Sequence, residues 1–301
     1  MLLSQERVLA QRGSSRIRKG WELNSSNVGL AYYGINKTSL PLYTGPSSVP
    51  EGTTITEKRI AVDTLGLDAG NIIIERCWIN PSDPNPGNPF ATTGDEPDIT
   101  PTRVIIRDCD FDGTALTTEE SAFRVGFWGI ADVINCHFYG IGGGFAIVNA
   151  ENTLSCVIEN NYVHAHTATG EPPFNNHADS FSIRDFEDAP GRTCYVRNNR
   201  FMCDAGEGFD TGALFIQTNN GNIHNVLIEG NLLEGGGYNL GLERSAFGLP
   251  NNYGNLNIHN NRLGPPGSHY YDGGPGWASQ SENYVYDSSA IEGKGTPIPS
   301  L

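Results

Sequence analysis

Apolar and polar side chains alternate in short runs along the chain, and seven of these runs repeat one phrase, roughly apolar–x–apolar–x–Asn–Asn/Cys–x–apolar. The phrase opens at Ile72, Val104, Val133, Val157, Tyr195, Val226 and Leu256, and it carries its Cys or Asn at Cys77, Cys109, Cys136, Asn161, Asn199, Asn231 and Asn261. The intervals between these anchors are 32, 27, 25, 38, 32 and 30 residues. A period-two pattern sends one face of a strand into a core. Strands that keep register while the loops between them vary in length are the mark of a solenoid.

Stacked parallel strands lie about 4.8 Å apart and set equivalent side chains above one another. Cys77, Cys109 and Cys136 then form one internal ladder that continues as Asn161, Asn199, Asn231 and Asn261. A buried Asn bonds from rung to rung, and a thiol fills the same space. The Asn pair also supplies a turn, because Asn tolerates the left-handed region. A second family of strands is predicted from Phe123-Arg124-Val125, Phe145-Ala146-Ile147, Phe181-Ser182-Ile183, Leu214-Phe215-Ile216 and Leu240-Gly241-Leu242, with outer members in the core and middle members facing outward.

The fold class read from this pattern is all-β: a single-stranded, right-handed parallel β-helix with capped ends. Residues 1–60 are predicted as an N-terminal cap and lead-in, 61–265 as the helix, and 266–301 as a C-terminal cap. Within the first segment, Leu2 to Gln11 reads as a short amphipathic cap that Gly20 to about Ile60 continues. Trp277, Tyr284 and Tyr286 are placed over the last coil, and the six prolines between Asn80 and Pro101 mark a surface loop.

Composition agrees with strands joined by many turns: 37 Gly, only 2 Met and 18% charged residues. Lys+Arg total 19 against 34 Asp+Glu, a formal charge of -15 that opposes binding to phosphate backbones and anionic membranes. No run of 18 apolar residues marks a membrane span. The opening Met1-Leu2-Leu3-Ser4-Gln5-Glu6-Arg7 is charged too early for a secretory signal, so the expectation is either that a leader is missing from this sequence or that export goes by another route such as virion assembly. Asn24-Ser25-Ser26 and Asn36-Lys37-Thr38 match glycosylation sequons at a level that chance explains. Six cysteines permit disulfides, with Cys156 and Cys194 each five residues before a ladder Asn and so within bridging range if stacked.

On these repeats, residues 60–265 resemble right-handed β-helix proteins of the pectate-lyase-like superfamily. Asn176-His177-Ala178-Asp179 followed by Asp210-Thr211-Gly212-Ala213 is similar to segments of bacterial or phage β-helix proteins that lack an assigned reaction. The first resemblance implies a polysaccharide partner on the outer face; the second implies no catalytic roles.

Polar and titratable groups concentrate between residues 164 and 245. Ungapped alignment stacks Arg184, Gln217 and Glu243 on the outer face and sets Asp210 one rung beyond His177, about 5 Å away, with Asp179 about 8 Å from Asp210. Strict alternation sends Asp179 inward with Phe181, whereas a turn before the strand frees it. Two carboxylates so spaced suit inverting glycoside hydrolysis, so Asp179 and Asp210 with His177 as proton relay are the candidate catalytic set. Arg184, Phe215, Gln217, Tyr238 and Glu243 are the candidate substrate-binding set, with Phe215 and Tyr238 as exposed stacking rings and Arg184 holding a uronate. Glu207 stands near them in sequence. A lyase would need an Arg or Lys base and commonly calcium. Lys19, Lys37, Lys58 and Lys294 all lie outside the region, leaving Arg184, Arg124 or Arg244. The Gly-His-Gly constellation of polygalacturonase-like hydrolases is missing as well.

His164 and His166 sit at strand spacing, where both rings would share a face and could join His177 on a metal; a solvent-facing pair explains them better. A capping role for His177 and Asp179, and a solvated ladder for Arg184, Gln217 and Glu243, are the plain alternatives. The expectation is an extracellular, cell-surface or virion-associated protein, able to form homo-oligomers, that binds an extended polysaccharide and cleaves it as hydrolase or lyase without cofactor or metal (calcium apart). The alternative is a non-catalytic glycan-binding adhesin, a virion tail component or a structural solenoid.

Overall fold

The computed structural model describes residues 18–82, 87–94, 103–148, 153–170, 176–206, 209–243, 252–264, 268–272 and 276–301. Three parallel sheets carry the chain, and each passage along it gives one strand to each sheet in turn. The first sheet runs from Thr54–Thr56 to Ser279–Ser281, the second from Arg59–Ile60 to Tyr284–Tyr286, and the third from Leu65–Gly66 to Ser268–Asp272. This all-β stack of long parallel sheets is compatible with a solenoid. Among the described residues no helix is long and apolar enough to cross a membrane.

The predicted ladder is present. The backbone N–H of Cys77 points at the Cys109 sulfur (3.4 Å), and that of Cys136 donates to Asn161 Oδ1 (2.9 Å). Asn161, Asn199 and Asn231 each donate both backbone N–H and Nδ2 to the Oδ1 of the next rung, at 2.8–3.0 Å. The ladder runs one rung further than the repeat predicts, from Asn261 to Asn283. Each interior amide also donates Nδ2 to a backbone carbonyl, as Asn199 does to Ile158 (2.9 Å), so its polar atoms are satisfied while fully buried. The residue before each rung is left-handed: Arg76, Asp108, Asn135, Asn160, Asn198, Gly230 and Asn260 have φ between 51° and 69°. That turn carries the chain from the first sheet into the second.

Apolar side chains fill the space between the sheets as vertical stacks. Phe111 stacks on Phe138 in the second sheet and Phe145 on Phe181 in the third (ring centroids 4.3 and 4.6 Å), and Phe138 meets Phe145 across the core of one coil at 4.8 Å. In the third sheet, Phe145, Phe181, Leu214 and Leu240 pair in the predicted register. The first predicted member is displaced: Phe127, not Phe123, faces Phe145. Thr117 and Glu120 form a reciprocal capping box that starts a short helix at Thr118–Ala122, so the strand begins only at Val125. Phe123 is left exposed, while Arg124 is fully buried, bonded to the carbonyls of Asp63 and Asn88 and paired with the Asp63 carboxylate at 2.9 Å.

Residues 18–40 do not continue a cap over the first coil. They form a strap that runs along the outside of the second sheet, opposite to the direction in which the strands accumulate. Trp21 lies under the Arg262 guanidinium, Gly20 N–H donates to Gly230, and Leu23 accepts from Arg200. Further along, Gly29 N–H donates to Asn135, Leu30 N–H to the Asp110 carboxylate, and Lys37 to Asp112 (2.7 Å). Leu23, Val28 and Leu30 are buried by this docking. Gly29 is left-handed (φ 55°), and a Cβ there would stand 2.1 Å from Asp110 Oδ1. The chain then turns beneath the first coil, where Leu42 bridges Arg59 and Ser48 bridges Gly66. Leu2 to Gln11 lie outside the described residues, as do 83–86 and 95–101 of the proline-rich segment; its described part is not all surface loop, since Ala91–Thr92 is a strand of the third sheet with Phe90 and Ala91 in the core.

At the other end Lys294–Pro297 pairs antiparallel with Tyr284–Tyr286, and Trp277, Ile298 and Leu301 pack against the core. The reversal ends parallel growth of the second sheet. All six cysteines are buried free thiols; Cys156 and Cys194 pair in register, with the Cys156 thiol donating to the Cys194 sulfur (3.3 Å) and no disulfide between them.

Candidate functional site

The outer face of the third sheet brings together most of the predicted binding residues. Gln217 and Glu243 pair in register, and Arg184 follows the strand beside them. The Arg184 guanidinium donates to Gln217 Oε1 (2.6 Å), to Ser182 Oγ (3.3 Å) and to Asp179 Oδ2 (2.8 Å). Gln217 passes the chain on to Glu243 Oε2 (2.5 Å). A continuous polar network therefore crosses three consecutive strands.

Asp179 reaches this network because alternation is interrupted. Ala178 pairs with Asp210 but Asp179 pairs with Gly212, so Thr211 is an extra residue, a β-bulge in the later strand. The bulge corrects the ungapped alignment: Asp210 stands beside Ala178 and not beside His177. Ala178 remains in the core, while the Asp179 carboxylate joins Arg184 on the outer face. The Asp210 side chain, Glu207 and Arg244 lie outside the described residues, so the 8 Å carboxylate pair has only one member in view.

Burial pushes the Asp179 carboxyl up to about 6, and the charge of Glu243 adds to the rise; Arg184, then His177, act against it. Its Oδ1 has no hydrogen-bond partner among the described residues. His177 is exposed, with Nδ1 3.4 Å from Thr211 Oγ1. Tyr238 is half-buried. Phe215 is a correction: at 6% exposure it offers no open face for a sugar ring. A Cβ on Gly241 would stand 2.5 Å from the Phe215 ring, so the ring lies against the backbone of the next strand. Asp185, directly after Arg184, is 1% exposed with both carboxylate oxygens unpartnered among the described residues; burial and then Glu187 push it up to about 7.

The two histidines at strand spacing do not share a face. Ala165 between them is left-handed (φ 54°) and turns the chain. His164 Nε2 lies 2.8 Å from His137 Nε2 on the second sheet, whereas His166 Nε2 lies 2.9 Å from Ser180 Oγ. With His166 Nδ1 3.1 Å from the Ile141 carbonyl, the arrangement has the connectivity of a nucleophile, base and orienting group. Ser180 is wholly buried, so no substrate reaches it. Among the described residues no group of three or more His, Cys, Asp or Glu is placed to hold a metal ion.

Sequence reading passed over the cluster under the strap. His137 and Tyr139 pair with Tyr162 and His164, and Lys37 bridges Asp112 and the Tyr139 hydroxyl. Burial, then the neighbouring His164, drives His137 down to about 3; burial pushes Asp110 up to about 6. The signal was available, since these residues occupy the first and third positions after the ladder residue in successive repeats. No family model matches the chain, and neither the curated proteins nor the solved structures contain a match to it.

Proposed function

We propose that the chain is a right-handed parallel β-helix of the pectate-lyase-like kind, working outside the cell or on a virion, whose third face binds an extended polysaccharide and hydrolyses it. The observation that carries the reading is Asp179: a carboxyl raised to about 6, with one oxygen fixed by Arg184 and the other unpartnered, in a polar network spanning three strands. A carboxyl held near neutrality can protonate a glycosidic oxygen, while a second carboxylate, Asp210 or Glu243, activates the attacking water. Two strand spacings, about 10 Å, let the network meet more than one sugar of a chain lying along the solenoid. The lyase alternative is weaker, because Arg124 is buried and Arg184 is engaged on three sides.

A binding-only role is the second reading, favoured by the same three-sided engagement of Arg184. The two separate on incubation with a panel of neutral and uronate polysaccharides. Hydrolysis gives reducing ends without ultraviolet absorbance, and its rate falls as pH rises through about 6, where Asp179 loses its proton. Asp179→Asn removes the activity and keeps retention on the glycan. Retention without cleavage by the parent protein supports binding only; neither retention nor cleavage across the panel overturns both readings.

A further inference from the structure

Among the described residues no strap covers the outer face of the first sheet, and its side chains form two columns. One column is apolar and partly exposed: Ile73, Ile105, Val157, Tyr195 and Leu227, broken at Asp132, over which Arg103 folds. The other alternates in charge: Glu75, Arg107, Ile134, Glu159, Arg197 and Glu229 on successive strands. Within the chain, Glu75 pairs with Arg107 (2.6 Å) and Glu159 with Arg197 (3.6 Å). Arg107 and Arg197 keep 32% and 25% of their side-chain surface open.

We infer that this face binds a second copy of the chain, related by a two-fold axis lying along the strand Asp132–Ile134. Such an axis reverses the solenoid direction and lays each column on its own counterpart. Because parallel strands are evenly spaced at about 4.8 Å, the opposition can be counted rung by rung. Glu75 stands opposite Arg197 of the second copy and Arg107 opposite Glu159 of the second copy; on the axis lie Ile134, 6% exposed, and Asp132, 5% exposed and paired with Arg103 of its own chain. In the apolar column Ile73 meets Tyr195 and Ile105 meets Val157. A slip of one rung sets Glu75 against Glu229 and Arg107 against Arg197, like against like. The order of charges therefore selects one register and rejects its neighbour. Five rungs span roughly 20 Å, a small interface, so association is concentration-dependent.

The test exchanges charges in pairs that keep the Glu75–Arg107 and Glu159–Arg197 ion pairs, the first exchange giving up only the Glu75 contact with Arg76. One variant is Glu75→Arg with Arg107→Glu; the other is Glu159→Arg with Arg197→Glu. Sedimentation of the parent protein shows mass doubling as concentration rises. Each variant alone stays monomeric, because its altered rungs meet like charges. Mixed together, the two variants form a one-to-one dimer, because every altered rung then meets its opposite. A parent that is monomeric at about 100 µM, in the range where even weak interfaces of this size associate, overturns the inference. So does a dimer that survives either exchange alone, or a mixture that stays monomeric while both variants keep the parent's circular dichroism.

Discussion

The second and third sheets are built from the same kind of strand, yet one wears a roof and, among the described residues, the other does not. Under the strap, His137, Asp110 and Asp112 are buried, and they find partners across a segment far away in sequence: Asp110 in the N–H of Leu30, Asp112 in Lys37. On the third sheet Asp179, Arg184, Gln217 and Glu243 find partners within the same face: they bond to one another, Arg184 also donates to Ser182 Oγ, and Asn219 Nδ2 donates to Gln217 Oε1. Both faces shift titrations, but the roofed groups are tied to the strap, whereas on the third sheet Asp179 and Arg184 keep 11% and 23% of their side-chain surface open.

The largest expected effect comes from lifting the roof. Gly29→Val puts a β-branched residue at a left-handed position with its Cβ against Asp110. Stability should fall by about 4 kcal/mol or more, because backbone strain, the clash and the lost Leu30 bond to Asp110 act together. Denaturant unfolding checks this, and a loss under about 1 kcal/mol would mean that the strap contributes little.

Acid gives a graded version of the same contrast. The His137 pKa is depressed from 6.5 to about 3, so the folded state resists protonation there. Stability attributable to this ring is whole above pH 6.5 and declines as pH falls toward 3, by up to about 1.4 kcal/mol per unit. Asp110 works in the opposite sense: raised to about 6, it relieves a penalty as it protonates. The comparison is therefore between His137→Gln and the parent, with the variant losing less stability between pH 6.5 and 4. Parallel curves for the two proteins would contradict the assigned cause.

The smallest effect is expected on the open face. Asp179→Asn keeps an oxygen for Arg184 and removes a charge that burial disfavours, so melting at neutral pH should move by no more than about 1 kcal/mol equivalent. A large drop would place Asp179 with the structural carboxyls.

How much of this could be read from the sequence follows from what repeats and what does not. Cys109, Cys136 and Asn161 were legible as neighbours because one address recurs in every coil. The Arg184–Gln217–Glu243 column was legible because strands aligned without gaps remain in step. Asp179 was half legible: Ala178 and Phe181, three residues apart, both lie in the core, so strict alternation fails within the strand and could not fix which way the carboxyl points. Phe123 misled because Phe-x-Val imitates the strand motif, while the capping box at Thr117 and Glu120 claims the local backbone first. The strap was hidden altogether, since a segment with short 3-10 turns and no period carries no signal of where it lies.

The amide ladder also has a direction. Every rung's N–H looks ahead to an oxygen that arrives one coil later, from Asn161 to Asn199 and onward to Asn283. A chain emerging from the ribosome therefore always carries one incomplete step, which the next stretch of synthesis closes. A break in translation leaves the newest edge of the ladder with an unanswered donor, while the strap, made first, waits for Gly230 and Arg262 before it has its partners.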